Sequence, residues 1–402
     1  RSLIGKPYRV ERYDATSTLY EMTISDWDVT DIGNGRDVVL LADEVALSYD
    51  GGSTHTDTAK GYTYDIVTGN TLTQIEYGEV SASTNGTFTD TGSDNRTTTY
   101  TYATDASSEI TAFPASVTLT DSGGATVSQS RFTYDDLTFG SVSIGNVSTQ
   151  ESWISGSDYA ATTFTYDAYG NVLTQTDPLG NITTTVFDTY NLYPSTVTDA
   201  LSQTQTFTYN AAIGKPTRTV DANGTTVETD YDGLGRPTEE RRSSTTDAAT
   251  LETTQTWSYD DTNYDFAYPR AVKFREYLSG AQYKETIQYL DGLDRVVETK
   301  TLDDEGTGYN ETETSYDALG RISSTTLAET AADYGYDAST VSSNLAETYE
   351  YDALSRLTFA SNALGTTSTS YNGFTKTVTD ALGNQKDYMT DGLGRLISVV
   401  EY

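Results

Sequence analysis

The sequence predicts an all-β chain in which antiparallel hairpins follow one another along a repeating sheet. Three observations carry that expectation. A short Tyr-Asp phrase returns at an almost constant interval. Between its copies, Thr, Val or Gln alternates with Phe or Tyr at the period of a strand, and no window of comparable length carries the i, i+3, i+4, i+7 apolar stripe of a helix.

The rhythm is strictest between Phe164 and Arg236. It reads Tyr166-Asp167-Ala-Tyr-Gly170-Asn171, Asp177-Pro-Leu-Gly180-Asn181, Phe187-Asp188, Asp199-Ala-Leu-Ser202-Gln203, Tyr209-Asn210, Asp221-Ala-Asn-Gly224 and Tyr231-Asp232-Gly-Leu-Gly235-Arg236. The interval between acidic positions, Asn210 standing in once, is ten residues at first and eleven thereafter. The phrase suits a tight reversal: Asp accepts backbone N–H bonds at the start of the turn, and Gly takes the left-handed conformation of a type I turn with a G1 bulge. Turns of four or five residues leave about six for each strand, the usual strand length. Ile182–Phe187 and Thr204–Tyr209 are strands on this reading.

From Arg1 to about Gln150 the beat is irregular. Tyr13-Asp14 and Tyr64-Asp65 carry the phrase, and Val38–Ala42 and Ala115–Thr120 read as strands. Polar stretches from Ser81 to Asn95 and from Asp50 to Lys60 read as loops, so this part is expected to hold long hairpins with insertions. Phe132-Thr-Tyr134-Asp135 opens a repeat whose turn is expanded before Gly145-Asn146. Beyond Arg236 the phrase continues as Tyr259-Asp260, Leu290-Asp291-Gly-Leu-Asp294-Arg295, Tyr316-Asp317-Ala-Leu-Gly320-Arg321, Tyr351-Asp352-Ala-Leu-Ser355-Arg356, Tyr371-Asn372-Gly373, Asp380-Ala-Leu-Gly383-Asn384 and Asp391-Gly-Leu-Gly394-Arg395. The chain opens on Arg1 and stops at Tyr402 in mid-strand, which reads as a piece of a longer protein.

Composition narrows the function classes. Hydrophobic residues are 36% of the chain, below the roughly 45–50% apolar share of an ordinary domain, so a thick core is not expected. The 32 tyrosines, the abundant threonine and the regular turns nevertheless point to an ordered, thin β structure rather than a disordered tail. A net charge of -35 argues against nucleic acid as a partner, because phosphate neutralisation needs basic patches. With no Cys, disulfides and thiolate metal sites are excluded. No apolar run approaches the roughly 20 residues of a membrane-spanning helix.

The Tyr-Asp-x-x-Gly-Arg/Asn units resemble the YD repeats of the Rhs family, which also occur in the B and C components of insecticidal Tc toxin complexes and in teneurins. About a dozen near-copies carry the resemblance. It divides the chain into an irregular long-hairpin region, 1–160, similar to the part that precedes the shell in Tc-type B components, and YD repeats over 161–402. It implies a sheet that spirals into the wall of a hollow shell, here a fragment of one. In bacterial members the shell encloses a toxic C-terminal domain; in teneurins it is an extracellular adhesion scaffold. Ladders of Tyr and Thr would stiffen a sheet wetted on both faces, and the recurring turn leucines Leu179, Leu201, Leu234, Leu319, Leu354, Leu382 and Leu393 are expected to pack between neighbouring turns. The autoproteolytic aspartate segment that closes many Rhs shells is not found: Asp177-Pro178 is an ordinary repeat turn.

The residues that could carry chemistry are few. His55, the single histidine, sits in the polar stretch from Gly51 to Lys60 and reads as part of a solvated tip. Asp261-Thr-Asn263-Tyr-Asp265 has alternating oxygen ligands but lacks the Gly and downstream Glu of a calcium loop, and Asp303-Asp304-Glu305 reads as a solvated turn. Trp27, Trp153 and Trp257 are the candidate glycan platforms, set against a reading in which the aromatics pack the sheet. Asn85, Asn95, Asn146, Asn181, Asn223 and Asn310 match the glycosylation pattern, a weak signal in a Thr-rich chain. No catalytic, metal or cofactor residue is assigned. The expected function is a non-enzymatic, secreted or cell-surface wall whose partners are a toxin or effector cargo and other parts of the same shell. The alternative is an extracellular adhesin or fibre with glycan binding or self-association.

Overall fold

The computed structural model describes residues 3–105, 107, 110–244, 250–260, 270–279, 282–336 and 346–402. Among them it contains 31 strands and no helix, and antiparallel ladders join the strands into one sheet. Each strand pairs for the most part with the next in sequence, so the chain is a long meander. Two strands take an extra neighbour: Thr71–Ala82 pairs with both Phe88–Asp90 and Arg96–Ala103, and Tyr309–Tyr316 with both Ile322–Thr326 and Glu329–Ala331.

The strands are where the alternation places them, including Ile182–Phe187, Asp37–Ser48 and Phe113–Thr120. Expected threonine ladders are present. Thr63 faces Thr73, Thr165 faces Thr174 and Thr198 faces Thr204, with hydroxyl oxygens 2.6, 2.6 and 3.0 Å apart.

At the turns, Gly170, Gly180, Gly235, Gly320, Gly383 and Gly394 have φ between 76° and 87°, the left-handed region that glycine enters without steric cost. Ser202, Asp294 and Ser355 occupy the same place in their units with φ of 60–63°, so the geometry holds even where the glycine does not. A second irregularity recurs that the sequence does not announce. The register slips at the Tyr position of the phrase itself, at Tyr13, Tyr64, Tyr166, Tyr209, Tyr231 and Tyr316, leaving one partner-strand residue unpaired, and it slips likewise at Tyr102. Such a bulge bends and twists its strand.

The structure divides into two units. The first comprises residues 1–180, 351–359 and 366–402, the second residues 181–350 and 360–365. The first holds two small apolar clusters: Met22, Ile24, Val45, Leu47, Ala59 and Val80, and separately Ala103, Ala115, Tyr134 and Val142. The second unit instead buries charge, notably Glu285, Glu298 and Lys300. Thin packing in both agrees with the composition.

Three expectations are corrected. Asp50–Lys60 is not one loop, because the strand Thr56–Tyr64 begins inside it; the intervening residues are needed to pair with Asp43–Ser48. Ser81–Asn95 likewise contains the short strand Phe88–Asp90. The turn leucines do not pack between turns as a class: Leu179, Leu201, Leu234, Leu319 and Leu382 are 74–88% exposed, and only Leu354 and Leu393 are half-buried. The turn uses the backbone N–H of its leucine and leaves the side chain pointing outward.

Replacing Leu47, which is fully buried, with Ala is expected to cost about 2–5 kcal/mol in denaturant unfolding. Leu382→Ala, at an 88% exposed turn, should stay within about 0.5 kcal/mol.

Candidate functional site

The repeated turn is the most regular assembly of polar side chains in the molecule. In Asp232–Arg236 the Asp232 carboxylate accepts the N–H groups of Leu234 and Arg236 at one oxygen, both at 2.9 Å, and the Arg236 Nε–H at the other, at 2.7 Å. The backbone closes around it, with Asp232 N–H donating to Arg236 O and Gly235 N–H to Asp232 O. The same set recurs at Asp291/Arg295, Asp317/Arg321, Asp352/Arg356 and Asp391/Arg395. At Asp167 and Asp380 the amides of Asn171 and Asn384 replace the guanidinium. Hydrogen bonds to the charged form hold the Asp232, Asp291 and Asp317 carboxyls low. For Asp232 and Asp317 the leading cause is the backbone N–H of the arginine, and for Asp291 the arginine side chain.

The cap extends from one repeat to the next. Arg236 lies 4.1 Å over the ring of Tyr259, Arg295 4.3 Å over Tyr316 and Arg356 4.1 Å over Tyr371, within cation–π range. Each of those tyrosines donates its hydroxyl to the carbonyl of the residue that opens the preceding strand: Tyr259 to Pro237, Tyr316 to Val296 and Tyr371 to Leu357. Tyr166 makes the same bond to Val147, and Tyr134 and Tyr231 bond one residue further on, to Pro114 and Pro216. Thus the Tyr, Asp, Gly and Arg of the phrase belong to one chain of contacts, and their fixed offsets are its trace in the sequence.

The expanded turn obeys the same rule. Asp135 accepts N–H bonds from Ser143, Ile144, Gly145 and Asn146. Burial pushes its carboxyl up, but these donors outweigh that and hold it below the usual range.

The second unit contains a charge network that the sequence reading missed. Lys300, 2% exposed, has Nζ 3.3 Å from Glu298 and 3.1 Å from Glu311 and donates to the Gly335 carbonyl at 2.5 Å. Nearby, Glu285 is ion-paired with Arg275 and accepts the Tyr309 hydroxyl at 2.7 Å. Burial raises Glu285, but Tyr309 and Arg275 outweigh it and keep the carboxyl low, while burial pushes Tyr289 up to about 12. The available signal was period-two alternation in Glu298-Thr-Lys300 and Glu311-Thr-Glu313, with charge at inward positions.

The singled-out residues are placed as follows. His55 is not a solvated tip: its ring is half-buried, hydrogen-bonded through Nδ1 with the buried Asp57 and 4.9 Å from Tyr49. Asp57 in turn accepts the Ala82 N–H at 2.8 Å, so the pair belongs to strand packing. Asp261, Asn263 and Asp265 lie outside the described residues. Asp304 and Glu305 are exposed in a turn capped by Asp303. Trp27 and Trp153 are half-buried and donate to Pro7 and Gly156, and Trp257 packs 5.5 Å from Phe274. Among the described residues no helix is long and apolar enough to cross a membrane, and no group of three or more His, Cys, Asp or Glu could hold a metal ion.

No family model matches the chain, and no curated protein matches it. Solved structures do. A crystal structure of TcdB2-TccC3 without its hypervariable C-terminal region matches with a TM-score of 0.76 at 12% identity, over 99% of this chain and 30% of that one. The chain has the fold of the Tc toxin Rhs-repeat shell. TcdB2-TccC3-TEV matches with a TM-score of 0.74 at 13% identity, over 99% and 30% of the two chains. The Photorhabdus luminescens Tc holotoxin pore matches with a TM-score of 0.75 at 12% identity, over 99% and 29%. The chain therefore spans about 30% of the length of these Tc structures. The likeness extends through the irregular first part as well as the repeats, since it covers nearly all of this chain.

Lys300→Met leaves Glu298 and Glu311 buried without their cation and is expected to cost about 3–5 kcal/mol in urea unfolding. Replacing all three with apolar residues of similar volume should recover most of that loss.

Proposed function

We propose that this chain is a non-enzymatic structural segment of an extracellular Rhs/YD-repeat protein, forming wall of a shell that encloses a toxin or effector lying outside the segment. The observation that carries the reading is the Tc-shell fold over 99% of the chain. The site geometry supports it. Asp, Arg and Tyr of the repeats are committed to turn caps and ring contacts, and Glu285, Glu298, Lys300 and Glu311 to one another and to neighbouring backbone. A wall of this kind acts by containment.

The test is cryo-electron microscopy of the longest native form of the protein, combined with limited proteolysis before and after denaturation. Containment predicts density on the inside of the sheet and a cargo fragment that resists protease until the sheet unfolds. An open or filamentous sheet with no enclosed density and no protected fragment contradicts it, and would favour an adhesin or fibre.

A further inference from the structure

Turns of the late repeats meet the first hairpins within the first unit, and the meeting is specific. Asp50, in the turn between the strands Asp37–Ser48 and Thr56–Tyr64, has a side chain only 5% exposed. One of its oxygens accepts Arg356 Nη2–H at 2.8 Å; the other accepts the Gly373 N–H at 2.8 Å. The same Arg356 nitrogen is 2.6 Å from the Asp352 carboxylate, itself 3% exposed. One guanidinium thus serves two buried carboxylates, and burial, which lowers Arg356, is outweighed by Asp352 and Asp50, which raise it.

Two glycines show how close the approach is. A Cβ on Gly373 would lie 2.4 Å from Thr56 Cγ2, and one on Gly392 would lie 2.1 Å from the Glu79 backbone nitrogen. Gly233 and Gly292 hold the same place in their units as Gly392, directly after the capping Asp, and have open space around them. The leucines agree: Leu354 and Leu393 are the half-buried members of a class whose other members Leu234, Leu293 and Leu319 are 74–77% exposed. Charge pairing and burial at 352–356, an amide bond and close approach at 372–374, and close approach at 391–395 fall on the same first hairpins.

We infer that the first hairpins carry a receptor surface for YD turns, with Asp50 as its specificity-determining residue and the chain's own late repeats as its occupants. Asp50 reads two turns at once, 352–356 through a guanidinium that its own Asp352 already orients and 372–374 through the Gly373 amide. Thr56 and the backbone at Gly78–Glu79 admit only a tip with no side chain at the contact. Sheet ladders join neighbouring strands; this contact joins turns more than 300 residues apart in sequence. It does not depend on what the repeats enclose.

Amide hydrogen exchange on the full chain tests the assignment. Asp50→Ala is expected to speed exchange at least tenfold at Gly373 and across the turn 352–356, while the turns 232–236 and 317–321 keep the wild-type rates. Unchanged rates at 352–356 and 373, or equal acceleration in all four turns, would overturn it. If Asp50→Ala does not fold, Gly373→Ala gives a second reading, because its Cβ would meet Thr56. Exchange across 352–356 should speed while the turns 232–236 and 317–321 keep the wild-type rates; unchanged rates at 352–356 in folded protein would overturn the inference.

Discussion

The carboxylate at the start of each YD turn is the interaction on which the rest of the structure depends. A two-sided, water-exposed sheet has little apolar burial to hold its hairpins in register. Here the register is fixed at the turns. One Asp oxygen ties down two backbone N–H groups, and the other orients an Arg or Asn side chain. Because the cap satisfies the turn amides locally, Ser202, Asp294 and Ser355 can take a left-handed backbone where glycine is the rule. The oriented Arg then covers the tyrosine of the following unit, whose hydroxyl reaches back to the start of the preceding strand. A local turn rule is in this way converted into contact between repeats.

That conversion explains how a chain of net charge -35 with few buried apolar side chains keeps an extended sheet. Five of its 24 basic side chains are placed at turns opposite capping aspartates, where repulsion among carboxylates would otherwise be felt. Where strands are long, as in the first unit, small apolar clusters supplement the caps. In the second unit the Glu285, Glu298, Lys300 and Glu311 network fills an inward face with paired charge. Such a network stabilises little relative to an apolar core but penalises any register that separates its members.

The strand and turn pattern was legible because period-two alternation and turn chemistry are both local. Asp135 and its expanded turn could be read for the same reason, since Gly145-Asn146 restores the phrase after the insertion. What escaped depends on neighbours distant in sequence. The polarity of Asp50–Lys60 suggested a loop, yet pairing with Asp43–Ser48 draws Thr56–Tyr64 into the sheet and buries Asp57 beside His55. The turn leucines looked like packing residues because they recur, but recurrence reflects the turn, and only Leu354 and Leu393 find a surface. The Tyr-to-carbonyl bonds and Asp50–Arg356 could not be read from spacing, because each needs the register of a strand outside its own turn.

Site-resolved hydrogen exchange on an Asp317→Ala variant tests the primacy of the cap most directly. The account predicts loss of protection at Leu319 and Arg321 that spreads into Tyr309–Tyr316 and Ile322–Thr326, with the repeats around Asp380 and Asp391 unchanged. Protection in both flanking strands equal to that of the wild type would contradict it, and would show that the ladders hold register without the carboxylate.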